Sequence, residues 1–148
     1  LDVSVNMLTM QALKNKKITV FGGEQLRPNI HIEDMVDSYL AVIDADVKTI
    51  NGEIFNVGFK NQSVNELASD VKSIIGEDIK IINTETNDNR SYHVSSQKIK
   101  DVLNFETKFT VRDAVKDLKK AFENKILIDT FENEMFFNIK RMNKLKLK

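Results

Sequence analysis

Residues 18–34 read ITVFGGEQLRPNIHIED, and the neighbouring elements are arranged around this stretch. Its β-rich start, Ile18 to Phe21, predicts a strand, and the glycine pair that follows predicts a turn with positive φ. Arg27 precedes the only proline of the chain, and a residue before proline favours an extended backbone. Asn29 to Ile32 alternates polar and apolar side chains, which predicts a second strand with Pro28 at its first position or at a sheet edge.

Helices are predicted on both sides of this stretch. Apolar residues at helical spacing indicate a helix over residues 3–15. A second helix begins at Glu33 and Asp34, whose carboxylates suit the positive end of the helix dipole, and its apolar stripe continues to Ile43. Residues 44–52 are mainly polar and are predicted to form a loop.

The middle of the chain continues the alternation of strands and helices. Residues 53–57, EIFNV, predict a strand at the edge of a larger sheet. Ser63 and Glu66 have the spacing of a capping box, and the helix that they open is expected to stop at Gly76. Residues 79–82 predict a further strand.

The last third is predicted to be mainly helical. Residues 84–92 contain no aliphatic side chain and are expected to form a loop, followed by a short helix that ends near Leu103. Thr110 and Asp113 resemble a second capping box, which opens an amphipathic helix. Beyond residue 125 the periodicity weakens. Strands that alternate with helices place the chain in the α/β or α+β class.

The length and the composition of the chain limit its possible functions. The chain has 148 residues, which suits one domain with its own core. Lysine plus arginine balances aspartate plus glutamate, 22 against 22, so neither nucleic acid nor a membrane surface is expected as a partner. Cysteine is absent and there are two histidines, which excludes disulfides and argues against a metal site. With no leader or membrane span in the sequence, the cytoplasm is the expected compartment.

No complete catalytic constellation is present in the sequence. The dinucleotide fingerprint Gly-x-Gly-x-x-Gly, the phosphate loop Gly-x-x-x-x-Gly-Lys and the nucleophile elbow Gly-x-Ser-x-Gly are all missing. Neither tyrosine has a lysine four residues later, because Tyr39 is followed by Ile43 and Tyr92 by Ser96. We therefore predict no catalytic residue and no metal ligand in this chain.

Two arginines are the candidate binding residues. Arg27 is held by Pro28 at the start of a predicted strand, and a guanidinium there can bind a phosphate through two parallel hydrogen bonds. The alternative is an ion pair with one of three nearby carboxylates, Glu24, Glu33 or Asp34. Arg90 lies in a polar loop between a strand and a helix, where ligand-binding residues are common. Its alternative is a solvated turn arginine bonded to Asp88.

Other conspicuous side chains are interpreted as structural. His31 points away from its two isoleucine neighbours along the predicted strand and is expected to be a satisfied structural histidine. Asp34 is interpreted as a helix N-terminal residue and not as a base. Tyr92 is expected to pack beneath its loop, and the basic end, residues 140–148, to be a solvated tail.

Four segments, taken together and in order, resemble a known family. They are LDVSVN at the start, ITVFGGEQLRPNIHIEDM from residue 18, GEIFNVG from residue 52 and NDNRSY from residue 87. They resemble the second half of the extended short-chain dehydrogenase/reductases, the NAD-dependent nucleotide-sugar epimerases and dehydratases of the UDP-glucose 4-epimerase type. The likeness runs from Leu1 to about Phe122.

The resemblance implies an α/β fold made of two parts. Residues 1–124 would be the C-terminal, sugar-nucleotide-binding lobe, and residues 125–148 a C-terminal tail. Within the lobe, residues 35–45 and 53–57 resemble the last helix and strand of the family's Rossmann-type NAD domain. The rest of that domain, in the first half of the full protein, would lie outside this chain.

The resemblance also implies roles for particular residues. Arg27 and Arg90 match the two arginines that grip the diphosphate in the family. The family's segment along the nucleotide base matches three residues of the first strand: Thr19, Val20 and Phe21. Asn6 matches a position in the first helix of the lobe. Where some epimerases have an acidic residue after the second arginine, this chain has Ser91-Tyr92.

The family's chemistry is implied only for a complete enzyme. NAD(P) and the catalytic Tyr-x-x-x-Lys pair would be supplied by the missing N-terminal half, which would also form any homodimer. The expected partner is a nucleotide diphosphate sugar, and this chain alone is expected to be inactive. The alternative hypothesis is a non-catalytic module that binds sugar nucleotides or another protein.

Overall fold

The computed structural model describes residues 1–87 and 90–147, and helices form most of its regular structure. Within these residues there are seven α-helices and one turn of 3₁₀-helix. Their bounds are α1 Ser4–Asn15, α2 Ile32–Ile43, α3 Val47–Ile50, α4 Val64–Ile75, α5 Gln97–Leu103, α6 Val111–Glu123, the 3₁₀ turn Glu134–Phe136 and α7 Asn138–Lys144.

The strands in the described residues form two separate two-stranded sheets. β1 (Lys17–Phe21) lies parallel to β4 (Lys80–Thr84). A parallel pair needs a long crossover, and α4 forms part of it. β2 (Leu26–Asn29) is antiparallel to β3 (Lys60–Ser63), and Arg27 lies opposite Gln62.

The core lies where α1, α4 and α6 pack around β1. Side chains of β1 alternate, and Ile18 and Val20 are fully buried. The helices contribute the apolar residues of one face each, which accounts for their amphipathic patterns. The core cluster comprises Val5, Leu8, Ala12, Ile18, Val20, Val64, Leu67, Ala68, Val71, Ile79, Val111 and Val115. The α/β class is thereby confirmed.

Both predicted capping boxes are present. The backbone N–H of Glu66 donates to the Ser63 hydroxyl (3.1 Å), and the Glu66 carboxylate accepts from the Ser63 N–H (2.7 Å). Thr110 and Asp113 exchange the same pair of hydrogen bonds at the start of α6. Each motif satisfies backbone donors that a helix start leaves unpaired, which is why both could be found from the sequence.

The predicted strand over residues 29–32 is wrong. The strand ends at Asn29, and Ile32 is already the first residue of α2. The polar residue between the two isoleucines, His31, is the N-cap of α2 and not a strand residue. Its Nδ1 accepts the Glu33 N–H at 3.2 Å. Pro28 is in β2, which has one neighbour strand among the described residues and so tolerates it.

The predicted strand over residues 53–57 is also wrong, since EIFNV pairs with no described strand. The predicted loop of residues 44–52 contains α3, which Asp46 caps by accepting the Lys48 N–H. The strand that does form nearby is β3, whose sequence KNQS is polar throughout. Such a segment carries no apolar alternation, and pairing with β2 is what makes it a strand.

The part of the C-terminal segment before the basic end packs on the rest of the domain, whereas residues 140 and 142–147 of the basic end are exposed, as the sequence predicted. Thr130 is 1% exposed. Lys14 of α1 forms an ion pair with Glu132 (3.1 Å), and the Asp2 carboxylate accepts the N–H of Asn138 (2.7 Å). These partners lie more than 100 residues away in sequence, so local charge pattern could not identify them.

No helix among residues 1–87 and 90–147 has the length and apolar character needed to cross a membrane. In the same residues, no group of three or more histidine, aspartate or glutamate side chains could hold a metal ion.

Candidate binding site beside the first strand

A cavity of about 420 Å³ lies between the start of α1, the outer side of β1 and Arg27. Its walls come from elements that the core holds in place. The lining includes Val3, Ser4, Met7, Gln11, Thr19, Phe21, Gln25 and Arg27. Among the lining side chains that the structure describes, Arg27 carries the positive charge. The lining also includes Asp2, whose carboxylate is engaged by the Asn138 N–H.

The first strand presents two of its three predicted contact residues to this cavity. Thr19 and Phe21 line it, and Phe21 is 55% exposed. The side chain of Val20 points the other way along the pleat and is fully buried in the core. Val20 could therefore contribute to a ligand only through its backbone.

The turn after β1 is fixed by a glutamine that the sequence did not single out. The Gln25 amide accepts the Gly23 N–H at Oε1 (2.6 Å) and donates from Nε2 to the Phe21 carbonyl (2.6 Å). Gly23 has φ of +123°, and a Cβ there would lie 2.5 Å from the side chain of Asn65. The positive φ favours glycine at this position. The turn leads into β2, where Arg27 lines the cavity.

Arg27 contacts the loop that contains Arg90. Its Nη1 donates to the Leu26 carbonyl (3.0 Å) and to the Arg90 carbonyl (2.5 Å), and its guanidinium carbon lies 5.5 Å from the centre of the Tyr92 ring. Tyr92 therefore packs under this guanidinium, with its face towards the cation.

Residues 90–92 run beside β2. The Leu26 N–H donates to the Ser91 hydroxyl (2.9 Å), and the Tyr92 N–H donates to the Leu26 carbonyl (3.1 Å). The structure thus brings the side chain of Arg27 to the backbone of Arg90, although the two residues are 63 positions apart in sequence. Arg90 is exposed. Its alternative partner, Asp88, lies outside the described residues.

Asn6 is not part of this arrangement. It lies on α1 but lines a different cavity, of about 600 Å³, whose walls include His31, Met35 and Leu118. The two cavities share Val3 and have otherwise separate walls. The structure therefore does not bring Asn6 together with Arg27.

His31 and Asp34 have structural roles, as the sequence indicated. His31 is 5% exposed, stacks on the ring of Phe109 at 4.7 Å, and its Nε2 lies 3.3 Å from the Asp117 carboxylate. Asp34 is fully buried, and its two oxygens accept the backbone N–H groups of Lys108 (2.8 Å) and Phe109 (3.0 Å). Both side chains join the start of α2 to the segment before α6.

Gln11 is a second residue that the sequence did not single out. Its Oε1 accepts the backbone N–H of Thr19 at 2.8 Å, and it lines the cavity together with that residue. A polar residue on an amphipathic helix is typical of a solvated face. Its contact with β1 depends on how α1 packs, and no local signal in the sequence predicts that.

Comparison with known proteins agrees with the geometry. Residues 4–58 match the model of the NAD dependent epimerase/dehydratase family. CDP-paratose 2-epimerase from Salmonella typhi is 28% identical over 110 residues, which is 70% of this chain and 32% of that protein. The chain is related to the NAD-dependent epimerases and dehydratases. The resemblance found in the sequence is thereby confirmed.

Solved structures show the same fold. UDP-glucose 4-epimerase from Thermotoga maritima, solved with UDP-glucose, superposes with a TM-score of 0.72 at 23% identity, over 84% of this chain and 40% of that one. dTDP-glucose 4,6-dehydratase from Bacillus anthracis, solved with NAD, gives 0.66 at 18% identity, over 94% of this chain and 42% of that one. This epimerase-related chain therefore spans between about a third and two fifths of the length of these proteins.

Proposed function

We propose that this chain is the nucleotide-sugar-binding part of an NAD-dependent epimerase or dehydratase. The observation that carries the proposal is the contact between Arg27 and the backbone of Arg90 beside a cavity walled by β1. In this proposal the guanidinium groups of Arg27 and Arg90, on adjacent segments, together supply the positive charge and the N–H donors that a diphosphate requires. The relatives named for CDP-paratose and UDP-glucose support a sugar nucleotide as the ligand.

In this proposal the ligand has one orientation in the cavity. Arg27 and Arg90 bind the diphosphate at the mouth. The nucleobase rests against Thr19 and Phe21, with the backbone of Val20 between them. Because Phe21 is more than half exposed, a planar base could cover its ring and remove apolar surface from water. Asn6 has no role in this arrangement, since it lines another cavity.

The residues of this chain do not fit NAD(P). The sequence has no Gly-x-Gly-x-x-Gly fingerprint and no Tyr-x-x-x-Lys pair, so no hydride or proton step is assigned to it. In the complete enzyme we propose that an N-terminal part holds NAD(P), carries out the transient hydride transfer and forms any homodimer. The contribution of this chain is binding and orientation of the substrate.

An apolar face supports a contact with that NAD-binding part. On α2 five large apolar side chains are exposed, and Ile54 of the EIFNV segment is 78% exposed beyond them. The five are Ile32 (66%), Val36 (45%), Tyr39 (64%), Leu40 (50%) and Ile43 (73%). A patch of this kind normally marks an interface. The greater length of the relatives makes their remaining part the occupant that we propose.

We keep residues 1–124 as the binding lobe and residues 125–148 as a C-terminal extension. The contacts of Glu132 and Asn138 with the start of the chain support an extension that packs on α1. The cytoplasm is the compartment in which sugar nucleotides would be available to such an enzyme, and we propose it on that ground alone.

Calorimetric titration tests the proposal. UDP-, CDP-, GDP- and dTDP-sugars are titrated into wild type, Arg27→Ala and Arg27→Lys. Lys17→Ala is the control, because Lys17 is an exposed cation at the start of β1 and does not line the cavity. We expect one sugar nucleotide to bind wild type and Arg27→Ala to weaken it by about 1.5–3 kcal/mol. Arg27→Lys should recover only part, because an ammonium cannot bond in the bidentate manner.

The outcomes are distinct. Lys17→Ala should bind as wild type does. Equal binding by Arg27→Ala and wild type would remove Arg27 from the site. No binding of any sugar nucleotide by the full-length gene product would contradict the proposal, and binding without turnover would favour a non-catalytic module.

A further inference from the structure

The charges of the chain are distributed unevenly along the sequence. Residues 135–148 contain five lysines and arginines and no aspartate or glutamate, whereas residues 1–134 contain 17 basic and 22 acidic side chains. The zero net charge, from which no membrane partner was expected, is thus the sum of a basic segment and an acidic remainder. Because salt screens exposed charges beyond about 10 Å, the local excess and not the total decides what the basic segment attracts.

The basic segment contains α7, whose apolar side chains share one face. Ile139, Met142 and Leu145 follow one another at intervals of three residues, and Leu145 directly after the helix keeps a helical conformation. They are 73%, 44% and 49% exposed. Lys140 and Lys144, four residues apart, lie together on the opposite side. The helix is therefore amphipathic, and its apolar face is in contact with water.

The positive charge of this segment is only partly neutralised. Arg141 and Lys144 both bind the carboxylate of Glu134, at 3.2 Å and 2.6 Å. These ion pairs hold α7 against the 3₁₀ turn and fix its direction. One carboxylate cannot balance five cations, so the segment keeps a positive charge next to its exposed apolar face.

We propose that α7 docks on a membrane surface rich in anionic lipids. Ile139, Met142 and Leu145 enter the boundary between headgroups and acyl chains, and the lysines contact the lipid phosphates. A nucleic acid would supply the negative charge but no hydrocarbon for the aliphatic side chains. None of these residues lines the cavity beside β1, so the membrane contact is independent of the sugar-nucleotide site.

Both parts of the amphipathic helix are needed for this contact. Three apolar side chains on a short helix give weak membrane binding by themselves, and each lysine or arginine near an anionic surface adds to it. The contact is therefore reversible, sensitive to salt and restricted to anionic membranes. The acidic remainder is repelled by the same surface, so the domain approaches it with residues 135–148 first.

Vesicle co-sedimentation of the full-length gene product tests the proposal. One kind of vesicle contains phosphatidylcholine alone, and the other contains phosphatidylcholine and phosphatidylglycerol in equal amounts. We expect wild type to bind the second kind at low salt and to be released as salt is added. Two double variants, Lys140→Gln with Lys146→Gln and Ile139→Gln with Leu145→Gln, should each weaken that binding by about tenfold or more.

Matched controls change the same kinds of side chain elsewhere. Lys80→Gln with Lys120→Gln removes two exposed lysines, one on β4 and one on α6. Val102→Gln removes an exposed apolar side chain from α5. Both controls should bind the anionic vesicles as wild type does, and circular dichroism confirms that every variant is folded.

Several results would overturn the proposal. They are no binding of wild type to the anionic vesicles, equal binding to both kinds of vesicle, and unchanged binding by either double variant of residues 139–146. If wild type leaves the vesicles free but binds a fluorescent poly-glutamate, the partner is an acidic polypeptide and not a membrane. Sedimentation without vesicles that the lysine variant abolishes would indicate self-association and would likewise overturn it.

Discussion

Arg27 Nη1 donates a hydrogen bond of 2.5 Å to the carbonyl oxygen of Arg90. One candidate diphosphate-binding residue thus positions the backbone of the other. The same loop segment is held from β2 by Leu26, through its N–H to Ser91 and its carbonyl to Tyr92. A guanidinium has five N–H donors in a planar fork, so a bond to one carbonyl is compatible with binding a phosphate as well.

This contact predicts that the two arginines are not independent. Arg27→Ala removes one guanidinium and also releases the segment that carries Arg90. In a double-mutant cycle on sugar-nucleotide binding, Arg90→Ala should therefore cost less in the Arg27→Ala background than in wild type, with a coupling of about 0.5–3 kcal/mol. Calorimetry on the four proteins measures the coupling, and strictly additive losses would show that Arg27 does not position Arg90.

Asp34 is expected to be important for stability and not for binding. Its buried carboxylate accepts two backbone N–H groups, from Lys108 and Phe109. Asp34→Asn would turn an amide donor towards one of them, and we expect a loss of about 2–3 kcal/mol in the free energy of unfolding. Urea denaturation followed by circular dichroism measures it.

The matched control for Asp34 is Asp37, one turn along the same helix. Asp37 pairs with the side chain of Lys108, and that pair is largely exposed to water. Asp37→Asn should therefore cost less than about 1 kcal/mol. Similar losses for the two variants would contradict the role assigned to the buried carboxylate.

Gly23 is expected to tolerate a side chain less well than Gly52. A Cβ at this position would lie 2.5 Å from the side chain of Asn65, on a backbone with φ of +123°. Gly52 is the control, because it has φ of +76° but a Cβ added there would meet no atom within 4 Å. Gly52→Ala should cost about 1–2 kcal/mol from its backbone alone. Thermal unfolding should show a larger loss for Gly23→Ala, and the reverse order would refute the close approach.

The second capping box predicts a dependence of stability on pH. The Thr110 hydroxyl (2.6 Å), then the Lys116 ammonium (2.9 Å), hold the pKa of Asp113 well below its usual range. Because this pKa is lower in the folded state, the unfolded state takes up the proton first. The stabilising contribution is complete above about pH 4 and is lost as the pH falls further.

Urea titrations between pH 6 and pH 2 check this sign. Asp113→Asn should abolish the part of the pH dependence that the cap contributes, and Thr110→Ala should reduce it, since Thr110 supplies the largest cause of the shift. A pH profile of Asp113→Asn that matches wild type would show that the cap carries no such linkage.

The sequence predicted the parts of the fold that local chemistry determines. The helix over residues 3–15 and both capping boxes depend on residues within one turn of each other, and all three are present. It failed where the decisive partner is distant. EIFNV has the composition of a strand but no described strand beside it, whereas KNQS lacks that composition and becomes β3 through β2.

In the candidate site, too, local features could be predicted from the sequence and contacts between distant residues could not. Arg27 and Arg90 could be selected one by one from their positions next to a proline and in a polar loop. Their contact, and the bond from Gln11 to Thr19, depend on how β2 meets the later loop and how α1 packs on β1. Asn6 was selected by resemblance on the same helix as Gln11, and the packing of that helix directs it to another cavity.

The steady-state kinetics of Arg27→Ala in the full-length gene product test the central claim most directly. A diphosphate is held alike in the ground state and the transition state, so loss of Arg27 removes uniform binding. We predict a KM for the sugar nucleotide raised by about tenfold or more, with kcat changed by less than about threefold. A KM equal to that of wild type would contradict the assignment of Arg27 to the diphosphate.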